Sequence, residues 1–248
     1  MSGKAFIYKI IELLLAHSTD KIVCISKAEY SSAIKNGIDN GEKLAIIENG
    51  INVQAVLNSA PADKMKLGIP IDAFVIGMIG RLTPQKAPDV FIRAAKLISK
   101  KIPNTYFIIV GNGEEEDEIK KYAEENKLHL IVTGWTDKPY SYLKVFDVAV
   151  LLSRWEGFGL AIVEYMAAEK NLVATRVDAI PTIVDDGVDG ILVNVDSPQE
   201  VADKVFFYYS HPEEAKHMRE MAKEKVARKY DISRVVQQHK ELFSELFK

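Results

Sequence analysis

The chain has 248 residues, of which 48% are hydrophobic and 27% are charged. This composition is typical of one large or two small soluble domains with a buried core, and it excludes disorder, collagen and coiled coil. The net charge of −3 offers no basic surface for a nucleic acid, so no nucleic-acid partner is expected. The single cysteine, Cys24, cannot form an internal disulfide, which favours a reducing compartment, the cytoplasm.

The N-terminus begins with an apolar run from Ala5 to Ala16. The run is interrupted by charged residues and is shorter than the roughly 20 residues that a membrane span needs. It therefore predicts an amphipathic helix, and a peripheral contact with the inner face of a membrane is kept as an alternative.

Further along the chain, apolar runs of strand length alternate with helical patterns. The predicted strands are Lys21–Ile25, Leu44–Ile47, Phe74–Ile79, Tyr106–Val110, Leu128–Val132, Val148–Leu152, Leu172–Ala174 and Ile191–Val193. The predicted helices are Ala5–His17, Lys27–Asn36, Asp89–Lys101, Glu114–Asn126, Tyr140–Val145, Leu160–Ala168, Pro198–Tyr209, 212–229 and 233–247. Continuous apolar strands indicate burial on both faces, which is typical of a parallel sheet covered by helices. The predicted fold class is α/β, with a doubly wound, Rossmann-like parallel sheet and a partial N-terminal α/β segment.

Turn-forming residues divide this pattern into segments. We interpret residues 49–71 as a linker and residues 72–230 as a complete unit of six strands with their helices. Residues 1–48 hold only two strands, too few to close a domain, and residues 231–248 are predicted to form a C-terminal helix.

Two loops that follow predicted strands carry charges suited to an anionic ligand. Such sheets bind ligands at the carboxyl ends of their strands. In the first loop, Gly80 permits close backbone approach, while Arg81 and Lys86 supply two cations just before a helix start, a combination that suits a diphosphate. In the other loop, Gly157 and Gly159 flank Phe158 at the start of a helix and expose successive amides. The alternative for the first loop is that its charges are ordinary surface charges. The alternative for the second loop is that Glu156 and Glu164 only complement the partial charge of the helix start.

A third loop, Gly111-Asn112-Gly113-Glu114, begins like a dinucleotide-binding fingerprint. Glu116 stands where the third glycine would be, and further acidic residues would repel a pyrophosphate. A tight turn between strand and helix is the favoured interpretation.

The sequence strings of the first two loops resemble a known family. Gly80-Arg81-Leu82 with Lys86, and Glu156-Gly157-Phe158-Gly159-Leu160 with Glu164, resemble the donor-site signature of retaining glycosyltransferases of GT-B architecture, family 4 or glycosyl transferases group 1. The segments 19–26 and 47–52 are similar to the end of that family's N-terminal domain and to its interdomain linker. The resemblance implies the C-terminal donor-binding domain, preceded by a truncated N-terminal domain.

The resemblance also implies roles for individual residues. Arg81 and Lys86 would hold the diphosphate of a nucleotide-sugar and neutralise the leaving group, with no metal or other cofactor. Glu164 would hold the ribose hydroxyls, and the main chain near Trp135 would lie beside the base. The implied catalytic residues are Arg81, Lys86 and Glu156, and the implied donor-binding residues are Gly80, Trp135, Gly157, Phe158, Gly159, Leu160 and Glu164.

The implied activity is transfer of a sugar from a nucleotide-sugar to a glycan or lipid-linked acceptor in polysaccharide biosynthesis. A GT-B active site lies between two domains, so we expect this chain to need a companion chain or a second copy. Exposed apolar residues around Phe6, Ile10 and Leu14 would be covered by that partner. The alternatives are a non-catalytic nucleotide-sugar-binding or assembly subunit and a relative of glycoside phosphorylases.

Some positions depart from the family pattern. Ala87 replaces a usual glycine after the lysine, Glu169-Lys170 replaces a small residue and proline, and Thr182 stands where a glutamate is common. Asp178-Ala179 replaces a pair of glycines and is expected to remove permissive backbone from a loop near the donor.

A metal site is not predicted. The sequence has no Asp-x-Asp pair, which the other large glycosyltransferase architecture uses for a divalent ion. His211 and His217 are poorly spaced for joint ligation from one helix face, and all five histidines are interpreted as structural or surface residues.

Overall fold

The computed structural model describes residues 3–247, with backbone alone for residues 3–6. The strands of this part are β1 (Ile22–Cys24), β2 (Leu44–Ile46), β3 (Phe74–Ile79), β4 (Thr105–Val110), β5 (Leu130–Val132), β6 (Val148–Leu151), β7 (Asn171–Thr175) and β8 (Ile191–Val193). The helices are α1 (Gly3–His17), α2 (Lys27–Lys35), α3 (Val53–Leu57), α4 (Pro88–Ile98), α5 (Glu116–Glu125), α6 (Pro139–Leu143), α7 (Leu160–Ala167), α8 (Ile180–Ile183), α9 (Pro198–Ser210), α10 (Pro212–Lys229) and α11 (Ile232–Leu246).

The strands form two parallel sheets. β1 pairs with β2, and the other six strands follow the order β5-β4-β3-β6-β7-β8. From β3, the chain adds β4 and then β5 on one side. It then returns to place β6 on the other side of β3 and adds β7 and β8 beyond it. The carboxyl ends of β3 and β6 therefore lie at a topological switch point, where the loops diverge and leave a crevice. The predicted α/β doubly wound class is confirmed.

Helices cover both faces of the six-stranded sheet, as the continuous apolar strands predict. One face packs against α7 and α10 around Tyr165 and Phe146, and the other packs against α4 and α9 around Phe91 and Phe107. Gly77, in the middle of β3, lies directly against the Phe146 ring, and a Cβ at this position would overlap that ring. A glycine in this central strand therefore makes room for an aromatic side chain.

Local sequence signals account for several helix boundaries. At the start of α2, the Ser26 hydroxyl accepts a hydrogen bond from the Glu29 amide at 3.1 Å. The Glu29 carboxylate accepts one from the Ile25 amide at 3.1 Å. Pro88 occupies the first position of α4, as its missing amide hydrogen allows. The helices α3 and α8 were not predicted, because they have five and four residues and lie among turn-forming residues.

The segments on either side of the six-stranded unit meet each other. The Ile51 amide donates to the Tyr230 carbonyl at 2.9 Å, and the Ile232 amide donates to the Ile51 carbonyl at 2.9 Å. Lys229 Nζ lies 2.9 Å from Glu48 Oε2. The chain therefore enters and leaves this unit at one place.

Both terminal helices carry exposed apolar side chains. On α1, Ile10 and Leu14 are exposed as expected, while the side chain of Phe6 lies outside the described part. On α11, Val236 and Phe243 are exposed. No helix within residues 3–247 is long and apolar enough to cross a membrane.

Candidate functional site

Two cationic residues follow β3 at the switch point. The Arg81 side chain is exposed, and its Nη2 lies 3.4 Å from Gln85 Oε1. Lys86 forms an ion pair with Glu156 of the loop after β6, and the two side chains are only 17% and 11% exposed. Lys86 and Glu156 are therefore brought together across the crevice, with Arg81 on the same loop as Lys86.

Further hydrogen bonds join the same two loops. The Arg154 amide donates to the Gln85 carbonyl at 2.8 Å, and Gln85 Nε2 donates to the Trp155 carbonyl at 3.1 Å. The Arg154 guanidinium donates to the Pro84 carbonyl at 2.7 Å and also contacts Asp89 at 2.9 Å. These contacts fix the relative positions of the loops. The role of Arg154 was not predicted from the sequence, because its partners lie in a distant loop.

The loop after β6 presents unsatisfied amides at the start of α7. The amides of Gly157, Phe158, Gly159 and Leu160 donate to no protein atom in the part of the chain that the structure describes. Gly159 has φ of +91°, a left-handed conformation that glycine adopts without strain, and no side chain caps α7. Phe158 is buried with its ring 5.9 Å from the Tyr230 ring, which anchors the loop. Free amides at a helix start form an anion-binding site.

Glu164 lies in the second turn of α7 and is largely buried. Its Oε1 accepts a hydrogen bond from the Tyr140 hydroxyl at 2.9 Å. Burial raises the pKa of the Glu164 carboxyl, although the hydrogen bond from Tyr140 acts in the opposite direction. Burial and the neighbouring Glu164 charge also raise the pKa of the Tyr140 hydroxyl. The sequence motif points to Glu164 but not to Tyr140, because no local pattern links residues on α6 and α7.

A cavity of about 240 Å³ lies beside the switch point, between the loops after β3, β4 and β5. Its lining residues are Ile79, Gly80, Arg81, Val110, Gly111, Asn112, Trp135, Thr136 and Pro139. Gly80 and Trp135 were both predicted to be donor-binding residues. The Trp135 side chain is 77% exposed, so it stands at the rim of the cavity.

The glycines after β4 have a packing role. A Cβ at Gly111 would overlap the Gly80 carbonyl, and a Cβ at Gly113 would overlap the Leu82 backbone. The Leu82 amide donates to the Asn112 carbonyl at 3.0 Å. These glycines therefore allow close approach between the loops after β3 and β4, which agrees with the favoured interpretation of a tight turn.

Two departures from the family pattern retain a left-handed backbone. Ala87 has φ of +51° and Asp178 has φ of +43°. Asp178 stands where a glycine was expected and still adopts this conformation, which aspartate tolerates better than most residues. Asp178 Oδ2 also accepts a hydrogen bond from the Glu156 amide at 2.8 Å, a contact that the sequence analysis missed.

Two of the histidines have aromatic partners. The His129 ring stacks on Tyr106 with centroids 4.7 Å apart, and the His211 ring stacks on Phe207 at 4.6 Å. Within residues 3–247, no group of three or more His, Cys, Asp or Glu side chains is placed to hold a metal ion.

Comparison with known proteins adds a family context. Residues 59–225 match the family described as Glycosyl transferases group 1. A curated relative, the UDP-Gal:alpha-D-GlcNAc-diphosphoundecaprenol alpha-1,3-galactosyltransferase of Escherichia coli, is 31% identical over 197 residues. The match covers 76% of this chain and 51% of that enzyme. The chain spans about half the length of the curated relatives it matches.

Solved structures show the same fold. The crystal structure of the C-terminal domain of LpcC, a glycosyl transferase group 1 family protein of Francisella tularensis, is 28% identical with a TM-score of 0.66. That match covers 74% of this chain and 100% of the LpcC domain. Anabaena HepE, crystallised with UDP and glucose, has a TM-score of 0.86 at 22% identity, over 95% of this chain and 66% of HepE.

Proposed function

Since the chain belongs to the glycosyl transferases group 1 family, we propose that it binds a nucleotide-sugar and takes part in transferring the sugar with retention of configuration. One observation carries this proposal. Lys86, in the same loop as Arg81, pairs across the crevice with Glu156, and the amides from Gly157 to Leu160 beside it have no protein acceptor among the described residues. Two cations and the start of a helix together suit the diphosphate of such a donor.

The proposed donor lies along the carboxyl edge of the sheet. The base and ribose occupy the cavity between Gly80 and Trp135. The ribose hydroxyls are held by Glu164, whose carboxylate is already oriented by Tyr140. The diphosphate lies at the switch point against Arg81, Lys86 and the amides of the next loop.

In this proposal, catalysis consists of stabilising charge that develops on the leaving group. As the bond between sugar and diphosphate breaks, negative charge grows on the phosphate oxygens and the sugar becomes oxocarbenium-like. Arg81, Lys86 and the free amides stabilise that charge, so the chemistry needs no metal ion. Glu156, held by its ion pair with Lys86, borders the reacting sugar.

The acceptor and the partner are also proposed. The name of the Escherichia coli relative includes a diphosphoundecaprenol acceptor, which supports a glycan or lipid-linked acceptor and a site near the inner membrane face. The apolar side chains exposed on α1 and α11 support a companion chain or a second copy that covers them and completes the acceptor side. We interpret residues 72–230 as the donor-binding unit within this arrangement.

Calorimetric titration with UDP, GDP and ADP tests the proposal. We expect saturable binding of one of these nucleotides, weakened at least about tenfold by Arg81→Ala because a charge-assisted contact is lost. Lys100→Ala removes an exposed positive charge just after α4 and serves as the matched control with unchanged affinity. Failure of all three nucleotides to bind would overturn the proposal.

A further inference from the structure

We propose that Asp178 sets the sugar specificity of the donor site by excluding nucleotide-sugars whose sugar carries a negative charge. The inference rests on the proposed donor function and adds the chemical class of sugar that the site admits. Neutral hexoses and amino sugars are admitted, and uronates are disfavoured.

The strand order places Asp178 at the sugar end of the donor. Along the carboxyl edge of the sheet, Trp135 follows β5, Arg81 follows β3, Glu156 follows β6 and Asp178 follows β7. The cavity that suits the base lies toward β5, and the free amides that suit the diphosphate lie at β6. A nucleotide-sugar has its base and its sugar at opposite ends of the diphosphate. With the base toward β5, the sugar therefore extends toward β7.

Asp178 is held in this position by the loop that borders the sugar. Its Oδ2 accepts the Glu156 amide at 2.8 Å, while no hydrogen-bond donor to Oδ1 occurs among the described residues. The Asp178 side chain is exposed. One carboxylate oxygen is thus used to fix the loop, and the other can accept a hydrogen bond from a sugar hydroxyl or amine.

The cations near this end of the site are already paired with carboxylates. Arg154 pairs with Asp89 and Asp196, and Arg176 pairs with Asp186. The cation nearest to Glu156 is Lys86, and it is already paired with that carboxylate. Glu29 of α2 approaches from the N-terminal segment, with its Oε1 3.4 Å from the position that a Cβ on Gly157 would take. In the part of the chain that the structure describes, neither Asp178 nor Glu29 forms an ion pair.

A carboxylate on the bound sugar would therefore face at least one uncompensated negative charge. Like charges a few ångströms apart in a partly exposed site weaken binding by about tenfold. The hydroxyl of a neutral sugar, or the ammonium of an amino sugar, meets no such repulsion and gains a hydrogen-bond acceptor.

The test compares two donors that differ only at C6 of the sugar, which is a neutral hydroxymethyl group in one and a carboxylate in the other. UDP-glucose and UDP-glucuronate, or the corresponding GDP or ADP conjugates if the chain binds that base, are titrated against the wild-type chain and Asp178→Asn. Asparagine keeps an oxygen that can accept the Glu156 amide, so the loop retains its contact while the charge is removed. Asp72→Asn removes an exposed charge before β3, at the opposite edge of the sheet, and is the matched control.

We expect the wild-type chain to bind the glucose conjugate at least about tenfold more tightly than the glucuronate, and Asp178→Asn to reduce that ratio at least about threefold, the remainder being due to Glu29. Affinity for the nucleoside diphosphate alone should change less than about twofold in that variant, because the lost charge lies at the sugar end. Equal binding of both donors by the wild-type chain, or an unchanged ratio in Asp178→Asn, would overturn the inference while leaving nucleotide binding intact. Absence of any nucleotide binding would instead overturn the proposed function as well.

Discussion

The Lys86 ammonium lies against the Glu156 carboxylate, and this ion pair joins the loops that follow the two central strands, β3 and β6. Both side chains are mostly buried, and Ser153 Oγ donates to the same Glu156 oxygen at 3.1 Å. The cation that faces the free amides therefore shares its charge with a protein carboxylate. Any anionic ligand that binds here competes with Glu156 for Lys86.

Glu156→Gln should tighten the binding of the nucleoside diphosphate. The substitution removes a negative charge from the site and releases Lys86 toward the phosphate oxygens. We expect affinity to increase by about threefold to tenfold, since one near charge in a partly buried site is worth roughly 1 kcal/mol. Calorimetry with the diphosphate of the preferred base measures the effect.

Lys86→Met provides the opposite change, because it leaves Glu156 buried without a counter-ion. This variant should lose nucleotide affinity and also unfold at lower urea concentration. Weaker binding by Glu156→Gln would show that Glu156 aids the diphosphate rather than competing with it.

Glu164→Gln should stabilise the fold while weakening nucleotide binding. Burial raises the pKa of Glu164 in the folded chain, so the folded state holds this proton more tightly than the unfolded state does. Stability is therefore lost as the pH rises from the ordinary glutamate value through the raised pKa, and the cost is complete above it. Glutamine carries no charge and still accepts the Tyr140 hydroxyl. We expect a gain of about 1 kcal/mol in unfolding free energy at pH 7 and about a tenfold loss of nucleotide affinity.

Urea unfolding at several pH values measures the stability difference, which should shrink as the pH falls through the Glu164 pKa. Tyr140→Phe is the companion variant: it removes the hydroxyl that favours the Glu164 carboxylate. It should raise the pKa of Glu164 further. Nucleotide affinity should then begin to fall at a higher pH when the solution is acidified. A constant stability difference at every pH would contradict this account of Glu164.

Gly113→Ala should destabilise the chain much more than Gly157→Ala. Neither glycine has positive φ, so the comparison isolates the space available to a Cβ. At Gly113 that atom would overlap the Leu82 backbone, whereas at Gly157 its only near neighbour is the flexible Glu29 carboxylate, at 3.4 Å. We expect a loss of about 2–4 kcal/mol for Gly113→Ala and less than about 1 kcal/mol for Gly157→Ala.

Thermal or urea unfolding of the two variants makes the comparison directly. Similar losses in both would mean that the loop after β4 moves away from the loop after β3 at little cost. In that case the tight packing between Gly113 and Leu82 would not be needed for the fold.

Lys170→Met should raise stability at pH 7 and remove part of the pH dependence above pH 8. Burial lowers the pKa of the Lys170 ammonium to about 8, although nearby Asp147 acts in the opposite direction. The unfolded chain then binds this proton more tightly than the folded chain, so stability increases with pH between about 8 and the ordinary lysine value. Below that range the full cost of the buried charge remains.

Replacing the ammonium with a thioether also removes the hydrogen bond that Lys170 Nζ donates to the Lys144 carbonyl at 2.9 Å. We therefore expect the unfolding free energy at pH 7 to increase by a net amount on the order of 1–2 kcal/mol. This is less than removal of the buried charge would give if no hydrogen bond were lost. Urea unfolding at pH 7 and pH 9.5 measures it, with exposed Lys100→Met as the control. If the unfolding free energy of Lys170→Met still rises between these pH values, the titration belongs to another group.

The sequence predicts the sheet well because its central strands, β3 and β6, are continuous apolar runs bounded by turn residues. It also locates the two loops that carry Arg81 and Glu156, because ligand sites of such sheets follow strand ends. The contacts that complete the site connect distant positions. Tyr140 and Glu164 are 24 residues apart, and the Glu156 amide and Asp178 are 22 apart. No periodicity or spacing reports such pairs, because they depend on which strands become neighbours.

The hydrogen bonds that join Ile51 to Tyr230 and Ile232 give the six-stranded unit adjacent chain ends. A unit of this kind can be transplanted into a surface loop of another protein, or circularly permuted by closing its ends with a short linker, without stretching the sheet. The Phe158 ring packs against Tyr230 at this connection, so the loop that precedes α7 is coupled to the junction of the two terminal segments.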